Sequence, residues 1–567
     1  MLTPWGEKLD KNNILKEYPR PQFKRDSYIN LNGAWEFCVS ESETEPEEFP
    51  ESILVPFSPE SELSGAKTMP QKKDFLWYRL LSRLPEGFNR GRVLLHFGAV
   101  DQIATVYING AELYTHVGGF TPFSVDLTEA LGGDELSIVL RVSDITDAGY
   151  HSRGKQKSKR GGIWYTPQSG IWQTVWMESV PERYIKNLSI TPHFDRQAVE
   201  ILVEGEGEGF ITLEGERYSF EGGIATIIPI KEMRPWSPDS PYLYDFTVEL
   251  GEDKAESYFA MRKFSVEADE KGVKRLFLNN QPLFHNGMLD QGYWSDGLLT
   301  APSDEALIYD IALAKEMGFN MLRKHIKLEP MRWYYHCDRL GMLVWQDMPS
   351  GGGKYNFFTI STPLVTKRHF KDSHYGLFAR KSAEGRQQYY KELKEMISAL
   401  YNCPCIALWV PFNEGWGQFD AQKAVEMIES MDSTRTIDHA SGWHDQFIGE
   451  TKSWHVYFKP YRFKPDRLGR AVILTEFGGY NHRVEGHAFS QKDFGYKRYE
   501  SVNSLSYAFR DLYTKEIGPA WKQGLAAAVY TQLSDVEDEL NGLVTYDRKV
   551  VKISPATVKS IISVDKE

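Results

Sequence analysis

Short runs of alternating apolar and polar residues characterise the chain from Tyr28 to Pro181. The clearest runs read "RVLLHFGAV", "IATVYING" and "LSIVLRVSD". Alternation of this kind is typical of half-buried β-strands, and in the last run one face carries Leu136, Ile138, Leu140 and Val142. Asn109-Gly110 is a strong signal for a tight hairpin. The pattern predicts an all-β sandwich over residues 1–181.

A second set of short strands follows, with glycine and glutamate at the turns, as "NLSITP", "VEILVEGEG", "ATIIPI" and "YLYDFTVELG". Their number and spacing predict a small immunoglobulin-like sandwich over residues 182–265. The segment "RPWSPDSPYLY" is rich in proline, which cannot donate a ladder hydrogen bond. We therefore expect it to be a linker or an edge segment.

Helical and strand-like patterns alternate after Val266. Ser303 and Gly318 bracket "DEALIYDIALAKEM" as a capped helix with a glycine stop. Candidate strands lie in "QPLFHNGMLD", "GFNMLRKH", "GMLVWQDMP", "CIALWVPFNE", "TRTIDHASGW", "SWHVYF", "AVILTEF" and "LAAAVYTQLSD". Eight such units predict a (β/α)8 barrel, the TIM-barrel fold, over residues 266–567.

One part of this barrel is expected to be irregular. The stretch from Glu414 to Glu476 is shorter than three βα units, which normally need about 90 residues. Pro460 and Pro465 lie where a sixth helix would run, and proline inside a helix costs about 3 kcal/mol. We expect irregular loops there instead of helices.

Composition narrows the class of protein. At 567 residues, with 25% charged and 41% hydrophobic residues, the chain fits a globular protein of two to four domains. A net charge of -12 argues against nucleic acid or an anionic membrane as a partner. The basic run "RGKQKSKR", Arg153 to Arg160, is interpreted as a solvated loop.

Several other features are expected to be missing. The four cysteines have no CxxC spacing, so neither a zinc site nor a disulfide framework is predicted. The first residues contain no basic region followed by an apolar core, and there is no run of 18 apolar residues. We expect a cytoplasmic protein that does not bind membranes.

Two glutamates occupy equivalent places at the ends of apolar strands. Glu414 lies in "PFNEGWG" after "CIALWV", and Glu476 lies in "VILTEFGG". One such glutamate alone is most simply a solvated loop residue. Two at the carboxyl ends of barrel strands form a pair where barrel enzymes keep their chemistry. Hydrolysis of a glycosidic bond needs such a pair, one to protonate the leaving oxygen and one to attack or to activate water.

Other residues are candidates for the wall of a sugar pocket. Asp290 and Trp294 follow the first barrel strand, and an apolar wall is expected from tryptophans near the glutamates, Trp409, Trp416 and Trp443. For Trp409, core packing is an equal alternative. The insertion after strand three, from "PSGGGKY" to Tyr390, is either a functional lid or disordered.

Taken together, these motifs resemble glycoside hydrolase family 2, the family of β-galactosidases, β-glucuronidases and β-mannosidases. The resemblance extends over nearly the whole chain and rests on "RPQFKRDSYINLNGAWEF", "GGFTPFSVDLT", "SGIWQTVWME", "WSPDSPYLY", "GFNMLRKHIK", "LGMLVWQDMP", "FNEGWG" and "TEFGG". It implies a jelly-roll-like sandwich, an immunoglobulin-like sandwich and a catalytic barrel.

The resemblance also implies roles for residues. Glu414 matches the family's general acid/base, and Glu476 matches its nucleophile. Asn413 matches the asparagine that contacts the sugar 2-hydroxyl, His325 a sugar-contacting histidine, and Tyr457 the tyrosine beside the nucleophile. Some members use magnesium, but no oxygen-ligand cluster stands out in this sequence, and neither a metal nor a cofactor is predicted.

The resemblance further suggests which sugar is bound. β-Glucuronidases of the family have an Asn-x-Lys pair whose lysine meets the sugar carboxylate. The matching stretch here, "DELNGLVTYDR", has Glu539 and Asn541 instead, and an acid would repel a uronate. Lys324 or Arg548 remain alternative sources of a cation. We predict a neutral sugar, galactose first, contacted by Asn541.

The resulting hypothesis is a retaining exo-β-glycosidase with a carbohydrate as its partner. Three alternatives stay open: a β-glucuronidase or β-galacturonidase of the same family, an endo-acting glycanase, and a catalytically silent carbohydrate-binding protein. Assembly into a homo-oligomer is left open as well.

Overall fold

The computed structural model describes residues 1–366 and 368–563 and begins with a two-sheet sandwich. Its strands, β1 to β12 in chain order, are Tyr28–Asn30, Gly33–Ser40, Glu51–Val55, Phe75–Arg83, Arg92–Phe97, Val100–Asp101, Ile103–Ile108, Ala111–Val117, Phe123–Asp126, Glu135–Ser143, Gly170–Ile171 and Val175–Val180. One sheet has the order β1-β12-β5-β9 and the other β3-β2-β4-β10-β7-β8. Apolar side chains of both sheets, such as Phe37 and Leu95, share one buried core.

The predicted hairpin at Asn109-Gly110 is confirmed. β7 and β8 pair antiparallel on either side of these two residues. Both residues have positive φ, 50° for Asn109 and 83° for Gly110. Asparagine and glycine tolerate this conformation better than other residues do, and it matches the twist of the flanking strands.

A second sandwich follows. Its strands, β13 to β19, are Asn187–His193, Ala198–Glu204, Glu208–Leu213, Glu216–Glu221, Ala225–Pro229, Tyr244–Leu250 and Asp253–Phe259. They form an antiparallel sheet β13-β14-β17 and an antiparallel sheet β16-β15-β18-β19. Residues 230–243, all of them described, contain isolated bridges but no strand, as the prolines predicted. The domain boundaries at 181 and 265 stay a prediction.

The rest of the chain forms a barrel preceded by a small sheet. The small sheet consists of β20 to β22, Phe264–Ala268, Lys274–Leu278 and Gln281–Pro282. The later strands, β23 to β32, are His285–Asp290, Met321–Lys324, Leu343–Asp347, Ile406–Val410, Thr436–Ile437, Thr451–Val456, Ala471–Gly478, Tyr480–Asn481, Lys497–Arg498 and Leu525–Thr531. Eight of them pair in parallel in the order β27-β26-β25-β24-β23-β32-β29-β28. Each overlaps one of the eight predicted strand segments, so the predicted barrel is confirmed.

The barrel is closed by side chains at one seam. Between β27 and β28, Thr451 Oγ1 donates to the Ile437 carbonyl at 3.2 Å, and Ser453 Oγ donates to the Ala440 carbonyl at 3.0 Å.

At the opposite end from the glutamates, Arg275 on β21 donates to the Leu525 carbonyl at 3.0 Å. The small sheet therefore covers the amino-terminal end of the barrel.

The helices surround the barrel. α1 to α8 are Asp304–Glu316, Met331–Leu340, Phe357–Thr366, Ala383–Leu400, Ala421–Met431, Val502–Leu512, Gly518–Gln523 and Pro555–Ser563, with a π-helical turn at Tyr513–Ile517. Ser303 caps α1 as predicted, accepting from the Ala306 N–H, and Gly318 follows the helix with φ of 89°. In the described part of the chain, none of the helices is both long and apolar enough to span a bilayer.

Two barrel connections carry no helix. Residues 438–450, between β27 and β28, and residues 457–470, between β28 and β29, are fully described and form turns and irregular loops. The second segment contains Pro460 and Pro465. The expected loss of helices is confirmed, and it explains why Glu414 and Glu476 lie so close in sequence.

Candidate active site

Glu414 and Glu476 meet at the carboxyl end of the barrel. Glu476 lies near the end of β29, and Glu414 follows β26 by four positions. Glu414 has a φ of 51°, unusual for a residue with a side chain, and its N–H donates to the Ser441 carbonyl at 2.9 Å. Ligand atoms of Glu414, His455 and Glu476 lie within 4.8 Å of one another. The two carboxylates therefore face each other across a narrow space.

Glu414 accepts hydrogen bonds on both oxygens. His455 Nδ1 lies 2.7 Å from Oε1, and Trp416 Nε1 donates to Oε2 at 3.2 Å. Burial is the strongest influence on the pKa of Glu414 and acts to raise it. The hydrogen bond and charge of His455 lower the pKa, as do the hydrogen bond of Trp416 and the charge of Lys155. Together they outweigh burial, so the pKa of Glu414 lies below its usual value.

Glu476 is held by two donors. Arg323 Nη1 donates to Oε1 at 3.2 Å, and the Tyr457 hydroxyl donates to Oε2. Burial, reinforced by the charge of Glu476, raises the pKa of Tyr457 well above its usual value, so the hydroxyl keeps its proton. Each oxygen of Glu476 thus has its own donor, which fixes the orientation of the carboxylate.

Arg323 connects the nucleophile candidate to the rest of the site. It is fully buried on β24 and binds both oxygens of Asp347 at 3.0 Å through Nε and Nη2. Nη2 also donates to Asn413 Oδ1 at 2.8 Å. The Asn413 amide oxygen is thus occupied, and its NH2 group is the part left to donate to a ligand.

His325 is held in one orientation. Its Nδ1 lies 2.8 Å from Asp347 Oδ2, an oxygen that Arg323 also binds, so Nδ1 is the donor and Nε2 remains for a ligand. Burial lowers the pKa of His325 well below its usual value, and the nearby Lys155 charge lowers it further. The imidazole is therefore neutral at ordinary pH.

Only some of the predicted site residues line the space between the carboxylates. Asn413, His325 and Tyr457 line it with Glu414 and Glu476; its wall also contains Lys155, Ile163, Trp164, Leu289, Ile326, Ser350, Trp416, Tyr496, Thr531 and Glu539. Four residues predicted to bind substrate, Asp290, Trp294, Trp443 and Asn541, are not in this wall. Their contacts with a sugar stay predictions.

The structure shows what engages three of these side chains instead. Asp290 accepts from Lys324 Nζ at 2.6 Å and from the Gly292 N–H at 2.9 Å, so both oxygens are used. The guanidinium of Arg548 lies 4.3 Å from the Trp294 ring. Asn541 Nδ2 donates to Glu539 Oε1 at 3.1 Å and so holds a residue of the wall.

The three tryptophans expected near the glutamates divide into two groups. Trp409 is fully buried and donates to Asp432 at 2.8 Å, so it belongs to the core. Trp416 lines the site, and Trp443 packs in the same apolar cluster, with its ring 6.3 Å from that of His455. Of the three, only Trp416 is part of the wall; Trp443 packs in the cluster around it.

The basic run of the first sandwich is part of the site, so its interpretation as a solvated loop was wrong. Arg153 is buried, and its N–H donates to the Ser350 carbonyl at 2.9 Å, which docks the loop on the segment after β25. Lys155 and Trp164 then reach the wall, and Trp164 packs edge-on against Trp416 at 5.2 Å. Contacts between distant segments, which local composition does not reveal, bury the first part of this run, Arg153 to Gln156.

His455 and Arg323 were also missed as site residues. Both lie inside segments that were quoted as barrel strands, "SWHVYF" and "GFNMLRKH". A signal was available, because polar residues near the carboxyl end of a barrel strand face the site. Their partners, Glu414 after β26 and Glu476 on β29, are not evident from either segment.

The part of the insertion that is described is folded. Residues 357–366 form α3, and Tyr389 and Tyr390 belong to α4 rather than to the insertion. Tyr355 packs 5.1 Å from Trp416, so the insertion borders the site. Residue 367 lies outside the described residues.

The site is narrow as it stands. The space at the two carboxylates amounts to about 20 Å³, room for about one water molecule. A larger cavity of about 240 Å³ lies between the first sandwich and the barrel, but neither carboxylate lines it. The candidate active site is therefore the smaller space, which both carboxylates line.

The cluster of Glu414, His455 and Glu476 has the ligand types of a metal site. Its oxygens already accept hydrogen bonds from Arg323, Tyr457 and Trp416. A guanidinium beside Glu476 would repel a cation bound there. The donor set fits a hydrogen-bonded carboxylate pair better than a metal ion, and the absence of a metal stays a prediction.

Comparison with known proteins identifies a family. Residues 271–469 match the model "Glycosyl hydrolases family 2, TIM barrel domain", and residues 199–262 match "Glycosyl hydrolases family 2". The first match includes Glu414 and ends before Glu476.

Two curated relatives illustrate the sequence similarity. A β-galactosidase of Thermoanaerobacter pseudethanolicus is 24% identical over 72% of this chain and 53% of its own length. A β-glucuronidase of Streptococcus agalactiae is 24% identical over 70% of this chain and 68% of its own length. The aligned part of this chain thus spans about half the length of the first relative.

Solved structures share the fold over nearly the whole chain. A β-D-glucuronidase of Dictyoglomus thermophilum has a TM-score of 0.75 at 18% identity, covering 96% of this chain and 98% of that one. A β-galacturonidase of Eisenbergiella tayi bound to galacturonate has a TM-score of 0.70 at 19% identity, covering 97% and 99%.

Proposed function

The chain belongs to glycosyl hydrolases family 2, and on this basis we propose that it is a retaining exo-β-glycosidase that removes terminal non-reducing β-linked sugars. One observation carries the proposal: an oxygen of Glu414 lies within 4.8 Å of an oxygen of Glu476. Retaining glycosidases have carboxyl groups about 5 to 5.5 Å apart, whereas inverting enzymes need about 6.5 to 9.5 Å to admit a water molecule.

In the first step, a Glu476 oxygen attacks the anomeric carbon and the bond to the leaving oxygen breaks. Glu414 gives its proton to that oxygen, and a covalent glycosyl ester forms on Glu476. In the second step, Glu414 takes a proton from water, whose oxygen attacks the anomeric carbon and releases Glu476. Arg323 and Tyr457 stabilise the carboxylate that is regenerated.

Glu414 must hold a proton when the leaving group departs, although its pKa is low without a ligand. Sugar binding excludes water from the space, which strengthens the effect of burial on Glu414. The same binding places the glycosidic oxygen where it can accept the proton. Substrate thus favours the protonated acid.

The exo mode is supported by the shape of the site. The sandwich loop, through Lys155 and Trp164, closes the space on one side, and Tyr496 and Glu539 line it as well. An endo-acting enzyme needs an open cleft for sugars on both sides. A space of about 20 Å³ is too small for a sugar ring, so part of this wall moves when substrate enters.

A neutral sugar, as in a β-galactosidase, is our first proposal for the substrate. Glu539 lines the space and would repel a uronate. Lys324 and Arg548 are the alternative cations that could meet a sugar carboxylate, but both have acidic partners. Lys324 pairs with Asp290 and Glu329, and Arg548 pairs with Asp310. Neither of the two lines the space.

A uronide is the second candidate, because Lys155 favours it. Its side chain lines the space, and among the described residues no carboxylate oxygen lies within 4.0 Å of its ammonium group. A cation in that position is able to pair with a sugar carboxylate.

The mechanism is tested with an activated aryl β-glycoside. Proton NMR of the first-formed sugar should show the β-anomer, and a 2-fluoroglycoside should label Glu476. First appearance of the α-anomer would contradict retention. Absence of hydrolysis across all glycosides, with sugar binding intact, would identify a silent carbohydrate-binding protein.

The sugar is tested by comparing kcat/KM for 4-nitrophenyl β-D-galactoside, glucoside, mannoside, glucuronide and galacturonide at one pH. The neutral-sugar proposal expects a neutral glycoside to be the best substrate. A uronide that wins by more than about tenfold would reject it. Loss of that preference in Lys155→Met would then assign the uronate contact to Lys155.

A further inference from the structure

A second cavity adjoins the space at the carboxylates. It has a volume of about 450 Å³ and shares Trp164 and Trp416 with that space. Trp416 donates its indole N–H to Glu414, the proposed proton donor. The proton is delivered to the leaving oxygen, so a cavity next to Glu414 lies where the leaving group departs. We call it the leaving-group cavity.

Three distant segments build this cavity. Arg153, Lys157 and Trp164 come from the first sandwich, Lys354, Tyr355 and Phe357 from the insertion after β25, and Trp416 from the loop after β26. None of the three segments forms the cavity alone.

Aromatic rings form an apolar surface in the cavity. Trp164 and Tyr355 are stacked, with centroids 6.0 Å apart and planes 20° apart, and Trp416 meets both edge-on. Phe357 lines the cavity although 70% of it is exposed. Flat aromatic faces of this kind bind the flat faces of sugars and of aromatic rings.

The charge in the cavity is positive, in a chain whose net charge is -12. Arg153, Lys157 and Lys354 line it, and Asp147 is the acid in the wall. Asp147 is engaged by Lys72 at 3.5 Å and by Ser158. In the part of the chain that is described, no carboxylate oxygen lies within 4.0 Å of the three cations.

Arg153 is the most constrained of these cations. It is buried, its guanidinium lies 4.6 Å from the centre of the Tyr355 ring, and its N–H groups reach the carbonyls of Gly352 and Gly353. A buried cation without an acid is costly. A negatively charged ligand would offset that cost.

We propose that the leaving-group cavity selects leaving groups that carry a negative charge beside a flat ring face. Acidic sugar residues and aromatic acids share this chemistry. The inference rests on the proposed glycosidase function and adds the class of leaving group. It applies whether the sugar that is released is neutral or acidic.

The test uses pairs of substrates with the same sugar. The leaving groups are 4-(carboxymethyl)phenol and its amide, 4-(carbamoylmethyl)phenol, whose methylene separates the charge from the phenol and keeps its basicity similar. We expect kcat/KM to be about tenfold higher for the acid, and the ratio to fall as salt is added.

A second pair distinguishes the two sources of such a leaving group. It compares disaccharides in which the same sugar is linked to a uronic acid or to the corresponding neutral sugar. A preference for the acid in this pair alone identifies an acidic saccharide, and a preference in the aryl pair alone identifies an aromatic acid. Either result supports the inference.

The variant Lys157→Gln/Lys354→Gln should bring the acid-to-amide ratio close to one. Lys159→Gln is the matched control, because Lys159 lies in the same loop, is exposed and does not line the cavity, so its ratio should equal that of the wild type.

The outcomes separate the two proposals. Equal kcat/KM values for both members of both pairs in the wild type would overturn the inference and leave the glycosidase function intact. A ratio unchanged in the double variant would overturn the role of these cations. Failure to hydrolyse any glycoside would overturn the proposed function itself.

Discussion

Glu414 and His455 form a hydrogen-bonded pair at the candidate active site. His455 Nδ1 lies 2.7 Å from Glu414 and 3.5 Å from Glu476, so it borders both carboxylates. It opposes the effect of burial on Glu414. The protonation of Glu414 therefore depends on His455, which lies outside the motif "FNEGWG" that contains Glu414.

Replacing Glu414 with Gln should slow substrates with poor leaving groups far more than activated ones, because only the former need a proton. General acid catalysis contributes about 10² to 10⁴-fold. The measurement compares kcat/KM, which reports departure of the leaving group, for a 4-methoxyphenyl and a 2,4-dinitrophenyl glycoside of the same sugar. Equal losses on the two substrates would show that Glu414 is not the acid.

Replacing His455 with Phe should raise the pKa of Glu414, because burial then acts without its main opponent. The basic limb of kcat/KM reports the acid of the free enzyme. We expect that limb to move to higher pH in the variant, measured from pH 4 to 10. A limb that stays in place or moves to lower pH would contradict this account of the pair.

The β7–β8 hairpin shows how one position sets a local conformation. A Cβ at Gly110 would meet no atom within 4 Å, but Gly110 has a φ of 83°. Any cost of adding a methyl group there comes from the backbone conformation and not from crowding. The position thus isolates one physical effect.

Gly110→Ala should destabilise the first sandwich by about 1–2 kcal/mol, the usual cost of a left-handed conformation for a residue with a side chain. Gly132→Ala is the control, because a Cβ there also meets no atom within 4 Å and its φ is not in the left-handed range. Urea unfolding followed by fluorescence measures both. Equal effects in the two variants would contradict the backbone explanation.

The connections that follow β27 and β28 are short, and their length affects which side chains lie near the candidate active site. β27 has two residues, and loops rather than helices follow β27 and β28. Ser441 lies in the first of these loops, and its Oγ is 3.2 Å from Nε2 of His455 on β28. Trp443, in the same loop, packs in the apolar cluster that contains Trp416.

The parts of the molecule are joined by a buried charge network. Arg25 binds Glu178 of the first sandwich at 3.0 Å and Asp253 of the second at 2.9 Å. Arg20 also binds Glu178, at 2.7 Å. Burial acts to raise the pKa of Glu178, but the guanidinium groups outweigh it and hold the pKa well below its usual value.

Glu178→Gln should lower the melting temperature at pH 7, since breaking a buried pair costs about 3–5 kcal/mol. A carboxylate with a depressed folded pKa stabilises above its unfolded pKa of about 4.3, and this contribution is lost as pH falls. The difference from the wild type should therefore shrink between pH 5 and pH 3. Calorimetry over this range measures it.

Glu256→Gln is the control for this prediction, because Glu256 pairs with Lys24 at 3.4 Å with most of its side chain exposed. Exposed pairs contribute about 0 to 1 kcal/mol. A similar loss in both variants, or a difference from the wild type that grows in acid, would contradict the role given to Glu178.

Patterns local in the chain were sufficient to predict the eight barrel strands, the cap at Ser303, the hairpin at Asn109 and the loops around Pro460. They also singled out Glu414 and Glu476, because strand ends in a parallel barrel converge on one site. These features depend on the spacing of apolar residues and on backbone preferences, which act over a few positions.

The composition of the site depends on contacts between residues far apart in the chain. Lys155 and Trp164 reach the barrel from the first sandwich, and Arg323 and His455 gain partners from the loop after β26. Asp290 is likewise a polar residue at the carboxyl end of a barrel strand, but its side chain pairs with Lys324. The free energy of burying a charge depends on which partner the folded chain places beside it, and a linear pattern does not contain that information.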